Sequence, residues 1–410
     1  MNDLIILSFP LAMVLLSLAI MPLICPSFWH RLEISALFGI AAISVVLTFS
    51  LIHNAFPIFK HVLTEDYVPF IIMLFTLYTL SHGIHINIKA QPSTVNNVIF
   101  LGVCSFFASV IGTTGASMLF LRPFIAMNNS RKNKAHLIIF FIFLVANIGG
   151  LLSPLGDPPL LLGYLHGVDF FWCAKNLSGI WVFYVFSCLS ILYFIDHFIM
   201  KREKDRHLAE ALSIHEQFSI KITGFLNIFL VILTVFVLFF DFNMILKNAL
   251  LLVFCGISLR NHKGPKIDFA PFKEVALTFF VIFVVIAPVV FKLTQLSGEI
   301  SKYMSGATSY FWACGTASSF LDNAPSYFLL FNMAGGKANE LMFGYPDILR
   351  AISISSVVMG AMTYIGNAPN MMVRSFAIKH GFKMPSFLGY MLWSFGIILP
   401  LSLIVSMLFL

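Results

Sequence analysis

Two aspartates lie in runs that are otherwise apolar or rich in glycine and proline. Asp157 sits in Asn147-Ile-Gly-Gly-Leu-Leu-Ser-Pro-Leu-Gly-Asp-Pro-Pro159, and Asp322 in Phe320-Leu-Asp-Asn-Ala-Pro-Ser326. A carboxylate at membrane depth is costly when charged, so it needs a proton or a cation as partner. Thr113, Thr114, Ser117, Asn147, Asn323, Thr363, Asn367 and Asn370 stand in the same segments or in their counterparts elsewhere in the chain. Their hydroxyl and amide oxygens suit a hard cation such as Na+. The expected chemistry is reversible binding of Na+ or H+ at Asp157 and Asp322, with both ions as cargo and no resident cofactor. The plainer alternative is that each acid only caps the N-terminus of a half-helix. Neither a histidine pair nor a nucleophile beside a base occurs in these segments, so nothing in them points to an enzyme or a catalytic residue.

Helix breakers surround both acids. Gly112, Gly115, Gly150, Gly156, Pro158, Pro325, Gly366 and Pro369 mark four places where a helix should unwind. Unwound backbone is tolerated at membrane depth only where protein or water surrounds it, and its free carbonyls then make an ion site near the midplane. The breaks fall in two matched pairs. Gly112-Thr-Thr-Gly-Ala-Ser117 aligns with Leu321-Asp-Asn-Ala-Pro-Ser326, so that Asp322 meets Thr113. The Asp157 segment aligns with Val357 to Pro369, so that Asp157 meets Asn367, Gly150 meets Gly360 and Gly156 meets Gly366. Self-similarity at such an offset suggests a duplicated unit.

The elements that must position these residues are membrane spans. Hydrophobic residues make up 59% of the 410 and charged ones only 10%, and the mean hydropathy is +0.92. A soluble domain carries charge on about a quarter of its residues. Apolar runs predict ten crossings, at 4–25, 34–56, 67–88, 136–165, 178–200, 222–241, 244–259, 275–293, 349–378 and 386–409. The first run, Leu4 to Ile24, reads as a retained span rather than a signal peptide.

The segments 95–127 and 308–334 are interrupted in the middle and are expected to be re-entrant hairpins. This reading puts every basic cluster on one, cytoplasmic, side: Arg131, Lys132 and Lys134; Lys201, Arg202, Lys204 and Arg206; Arg260, Lys263, Lys266 and Lys273; Lys379 and Lys383. The net charge of +7 therefore reports orientation and implies no nucleic acid. The fold class expected is an all-α polytopic membrane protein with about ten crossings and two re-entrant hairpins, in two inverted-topology repeats with broken helices. Residues 1–200 form the first repeat, 201–221 a cytoplasmic linker with a short surface helix, and 222–410 the second repeat.

Other polar residues carry weaker signals. Arg122 and Arg374 each follow a break and could snorkel, pair with an acid or hold an anion. His82 and His85 are expected on one helix face near an interface. Asp196, Asp241, Lys292 and Asp347 fall at span ends and are expected in water. Cys25, Cys104, Cys173, Cys188, Cys255 and Cys314 are scattered, which indicates neither a zinc site nor a disulfide framework.

The four segments, in order, resemble those of the NhaD-type sodium/proton antiporters, within a superfamily that also holds citrate and dicarboxylate carriers and arsenite permeases. The resemblance rests on Gly112 to Pro123, Asn147 to Pro159, Phe320 to Ser326 and Thr363 to Asn370, and it runs from about 67 to 395. It implies a scaffold and a moving transport domain, a homodimer formed through the scaffolds, and Na+/H+ exchange by alternating access. Carried over by motif, its ion-site positions are Thr113, Thr114, Ser117, Asp157, Asp322, Asn323, Asn367 and Asn370. The location it implies is a bacterial plasma (inner) membrane, with lipid and small inorganic cations as partners and a role in pH homeostasis. The alternative expectation is a sodium- or proton-coupled carrier of a small anion of the di- or tricarboxylate or arsenite type.

Overall fold

The computed structural model describes residues 2–24, 26–52, 54–89, 91–204, 219–240, 242–262, 267–300, 304 and 306–410. Seventeen α-helices and one two-stranded sheet account for most of them. In the first half, α1 (Asn2–Ile24), α2 (Pro26–Leu51), α3 (Phe56–His61) and α4 (Val68–His82) lead to a hairpin of α5 (Thr94–Ile111) and α6 (Thr113–Met127). Next come α7 (Ala135–Leu144) and α8 (Pro158–Leu165), two pieces of one broken helix, and then the long α9 (Trp172–Lys204). The second half runs α10 (Phe225–Phe239), α11 (Met244–Arg260) and α12 (Ala270–Ile300), followed by a hairpin of α13 (Gly306–Phe320) and α14 (Asn323–Met333). It closes with the broken pair α15 (Pro346–Val358) and α16 (Ala368–Lys379), and with α17 (Phe387–Leu408). This is an all-α polytopic membrane protein.

Six helical stretches among the described residues are long and apolar enough to cross a membrane: Phe56–His82, Thr94–Ile111, Ala135–Leu152, Trp172–Arg202, Phe272–Leu293 and Phe387–Leu408. The second of these is one arm of the hairpin, because the chain reverses at Gly112 and α6 packs back along α5. The broken helices form the centre. From His136 to Leu144 every residue of α7 is buried, which is the pattern of a helix enclosed by protein on all sides. Large apolar side chains such as Phe186, Ile245 and Leu392 are instead exposed on peripheral helices, where hydrocarbon would solvate them.

Four local expectations change. The third span ends at His82, and His85 begins a strand, His85–Lys89, paired antiparallel with Ser219–Thr223. His82 and His85 therefore share no helix face. Gly224, with φ +91°, lets the chain pass so close to Gly83 that a Cβ would lie 2.0 Å from the Gly83 carbonyl oxygen. The backbone groups of 85–89 are satisfied by a strand far along the chain, which local pattern does not reveal.

The expected linker 201–221 is in part the end of α9 and in part the second strand; residues 205–218, with most of the expected surface helix, lie outside the described residues, as do Cys25 and Asp241. The five described cysteines are buried free thiols.

Asp196, expected in water, is fully buried. It forms an ion pair with Arg131, lies 2.9 Å from His136 Nε2 and accepts from Asn97 Nδ2 at 3.2 Å. Its partners come from α5, from α7 and from the loop before α7, so its burial follows from tertiary packing. Lys292, also expected in water, is half-buried and lies 3.5 Å from Asp3. Asp347 is exposed, as expected, and pairs with Arg350.

Candidate ion site at the crossing of two broken helices

Each break is a doubled-back turn that only glycine can form. After α7 a short 3-10 turn, Ile148–Leu152, leads to Gly156, Asp157 and the start of α8. After α15 an equivalent turn, Met359–Met362, leads to Gly366, Asn367 and α16. A Cβ on Gly156 would lie 2.0 Å from the Gly150 carbonyl oxygen, and one on Gly366 would lie 2.5 Å from that of Gly360. The prolines begin helices rather than break them: Pro158 is the first residue of α8, Pro369 the second of α16, and Pro325 lies in the first turn of α14. Gly115 lies inside α6, where it admits Ser81, whose Oγ would be 2.5 Å from an added Cβ. The reversal of the first hairpin is Gly112 alone, at φ +82°.

The hairpin arms are tied to the breaks by the same bonds in both halves. Ser109 Oγ donates to the Gly149 carbonyl and Ser153 Oγ to the Ser109 carbonyl. At positions 210 further on, Ser319 Oγ donates to the Met359 carbonyl at 3.1 Å and Thr363 Oγ1 to the Ser319 carbonyl at 2.6 Å. Thr363 thus braces the break and does not touch Asp157.

Asp157 stands at the centre, 2% exposed. Thr113 Oγ1 donates to its Oδ1 at 2.7 Å, and Asn323 Nδ2 donates to its Oδ2 at 2.6 Å. The side-chain amide of Asn367 also reaches the carboxylate. Each hairpin tip and each broken helix therefore contributes one of these four residues. Two more amides, Asn147 and Asn370, lie behind them. Asn367 Nδ2 donates to Asn147 Oδ1 at 3.1 Å, and Asn147 Nδ2 donates to Asn370 Oδ1 at 2.7 Å. Asn370 Nδ2 in turn holds the Gly360 and Thr363 carbonyls at 2.9 and 3.0 Å.

Asp322 is half-buried at the start of α14, beside the backbone N–H groups of Asn323 and Ala324, and close enough to Asp157 for two charges to repel. Ser117, four residues after Thr113 and so on the same face of α6, is fully buried and its hydroxyl has no partner. Thr114 is half-buried, about 100° round the helix from Thr113.

No lysine, arginine or histidine pairs with Asp157 or Asp322 among the described residues. Arg122 is exposed, with its guanidinium 5.7 Å from the Phe376 ring centroid, and Arg374 is half-buried, 4.9 Å from that of Tyr364. Arg122 lines a cavity of about 630 Å³ together with Ile125, Ala126, Asn129, Phe376 and His380. No group of three or more His, Cys, Asp or Glu that could hold a metal ion occurs among the described residues. An ion here would rest on one acid and neutral oxygens.

The sequence profile of a family described as putative citrate transport matches residues 2–410. The chain belongs to that family. Among curated proteins, none matches the chain. Membership in the putative citrate transport family makes the chain a transport protein, and the apolar helices make it a multi-pass membrane protein. Both are consistent with the wider ion transporter superfamily. Within this family member, the sequence reading placed Asp196 in water and did not single out Asp66, both of which are buried. An acid inside a predicted span was a signal for Asp196, and Asp66 lay at the edge of one; neither had a helix break beside it.

Proposed function

We propose that the chain is a secondary transporter that exchanges Na+, or Li+, for H+ by alternating access, with Asp157 as the carboxylate that takes either ion. One observation carries this reading: Asp157 is buried and held only by a hydroxyl and amides. Its negative charge has no fixed counter-charge, so an exchangeable cation has to supply one. Thr113, Asn323 and Asn367 already donate to the carboxylate, and the Thr113 oxygen with the unpartnered Ser117 hydroxyl on the same face of α6 supply oxygen ligands in this reading. Asp322 stands near enough to favour a cation at the site and is more open to water. Na+ and H+ compete for the same oxygens, and the empty charged site crosses poorly because bare charge in hydrocarbon is costly. Exchange follows from that rule. The resemblance to NhaD-type antiporters supports the same cargo, a homodimer and a bacterial inner membrane.

A second reading, a cation-coupled carrier of a citrate-like carboxylate, is favoured by the family description and by the cavity at Arg122 and His380. In it Asp157 binds the coupling cation, and the anion binds once the acids are neutralised. Proteoliposomes with an internal pH probe separate the two. Proton movement triggered by Na+ alone, and lost in Asp157→Asn, supports exchange; uptake of labelled citrate that requires Na+ or a proton gradient, with no response to Na+ alone, replaces it with the carboxylate carrier.

A further inference from the structure

Another buried acid, Asp66, lies at the far end of the helix that Asp157 begins. Between α3 and α4 the chain makes a π-helical turn, Val62–Tyr67, and this turn buries Asp66, whose side chain is 6% exposed. Single π turns inside helices concentrate at functional positions, because the extra residue redirects a side chain. Asp66 meets His166, the residue that caps the C-terminus of α8, with Nε2 to Oδ1 at 3.4 Å. Eight residues of α8 separate His166 from Asp157, which puts the two ends roughly 13 Å apart along the axis.

The ring of His166 is constrained on its other side. Its Nδ1 lies 2.9 Å from the Leu162 carbonyl oxygen, which can only accept, so Nδ1 carries a proton. A neutral ring would then turn the bare lone pair of Nε2 toward the Asp66 carboxylate. Two lone pairs at that distance repel, and an ionised Asp66 beside them would be buried without a partner. A proton shared by the pair, on Nε2 or on the carboxyl, removes both penalties.

We propose that Asp66 and His166 form a second proton-binding site of this transporter, which links the occupancy of that proton to the position of α8 and thus of Asp157. The ring is packed against α14, with centroids 5.0 Å from Phe328 and 6.0 Å from Phe331. It therefore touches the helix that begins at Asn323 as well as the one that begins at Asp157. His166 is 19% exposed at its side chain, which gives the proton a route from water. The other charged or titratable groups around Asp66 are His61 and Glu65, on its own stretch of chain. Where α12 packs on the turn it brings Phe280 and Phe283 against Tyr67. Near His166, Lys247 from α11 is engaged with the Tyr164 hydroxyl at 2.6 Å, and Asp169 accepts from the Phe171 N–H at 3.0 Å.

The test is ring-15N-histidine NMR of the full chain in nanodiscs across a pH series, with the His166 signal assigned by its loss in His166→Gln. The expected result is an Nδ1-protonated neutral ring at high pH, with a pH dependence of the His166 signals that changes in Asp66→Asn and changes less in Asp66→Glu. Superimposable curves in wild type and Asp66→Asn overturn the proposal. So does an Nε2-protonated neutral tautomer in the wild type, a result that requires no Asp66 variant to fold. Neither readout involves transport, so the outcome stands apart from the cargo assigned to Asp157.

Discussion

Asn323 Nδ2 lies 2.6 Å from Asp157 Oδ2, although the two residues are 166 positions apart. The bond joins the tip of the second hairpin to the first broken helix, and Thr113 makes the converse contact from the first hairpin. Any movement that exposes Asp157 to one side of the membrane must carry or break these contacts, which makes the carboxylate and its two donors a unit.

Asp157→Asn keeps the shape of the side chain and removes its charge. The expected outcome is a folded protein with no Na+-dependent proton movement in proteoliposomes, while Asp322→Asn retains a measurable fraction because Asp322 lies beside the site and is more open to water. Equal loss in both variants would instead make the two acids a single ion-binding pair.

Asn323→Ala leaves Asp157 Oδ2 without its donor. An unmet hydrogen bond to a buried charged group costs about 1–3 kcal/mol, so the apparent affinity for Na+ should change by roughly 5- to 150-fold. The concentration of Na+ giving half-maximal dequenching of the pH probe measures this directly, and an unchanged value would remove Asn323 from the site.

Competition for one carboxylate has a defined sign with pH. Protons occupy Asp157 increasingly as pH falls, so the apparent KM for Na+ should rise, by up to about tenfold per unit, with the maximal rate unchanged. A KM independent of pH alongside a falling maximal rate would place the proton on a different group.

Gly156→Ala should destabilise strongly, because the new Cβ would sit 2.0 Å from the Gly150 carbonyl oxygen within a turn that cannot yield. Gly179→Ala in α9 has nothing within 4 Å and should be neutral or stabilising, by at most about 1 kcal/mol. Thermal unfolding in detergent compares the two; similar midpoints would show that the break is more compliant than its geometry.

Asp196→Asn takes the negative charge out of the buried Arg131–Asp196 ion pair. Breaking such a pair costs about 3–5 kcal/mol, which should lower the unfolding midpoint clearly in detergent. The network lies away from Asp157, so the half-saturating Na+ of the folded fraction should not move.

The legible part of the fold is the part written in short-range chemistry. Runs such as 386–409 and 178–200 could be read as spans because crossing hydrocarbon demands a continuous apolar helix of a set length. The breaks at Gly112, Gly156 and Gly366 could be read because glycine beside proline or a polar residue interrupts a helix, and hydrocarbon does not tolerate the freed backbone groups. Asp157 and Asp322 stood out as acids among such residues. The sequence by itself thus determined the class of protein, the placement of the two hairpins and the two acids that stand at helix breaks.

Tertiary structure decided which of them do meet. It put Thr113, Asn323 and Asn367 on Asp157, set Thr363 to bracing a break, and gathered Asn147 and Asn370 behind the site. It also buried Asp196 against Arg131 and Asp66 against His166, and turned His85 into a strand. The physical reason is common to all of these. Whether a polar group is solvated, paired or bound to an ion depends on partners that the chain brings from tens or hundreds of residues away, and spacing along one helix holds no record of them.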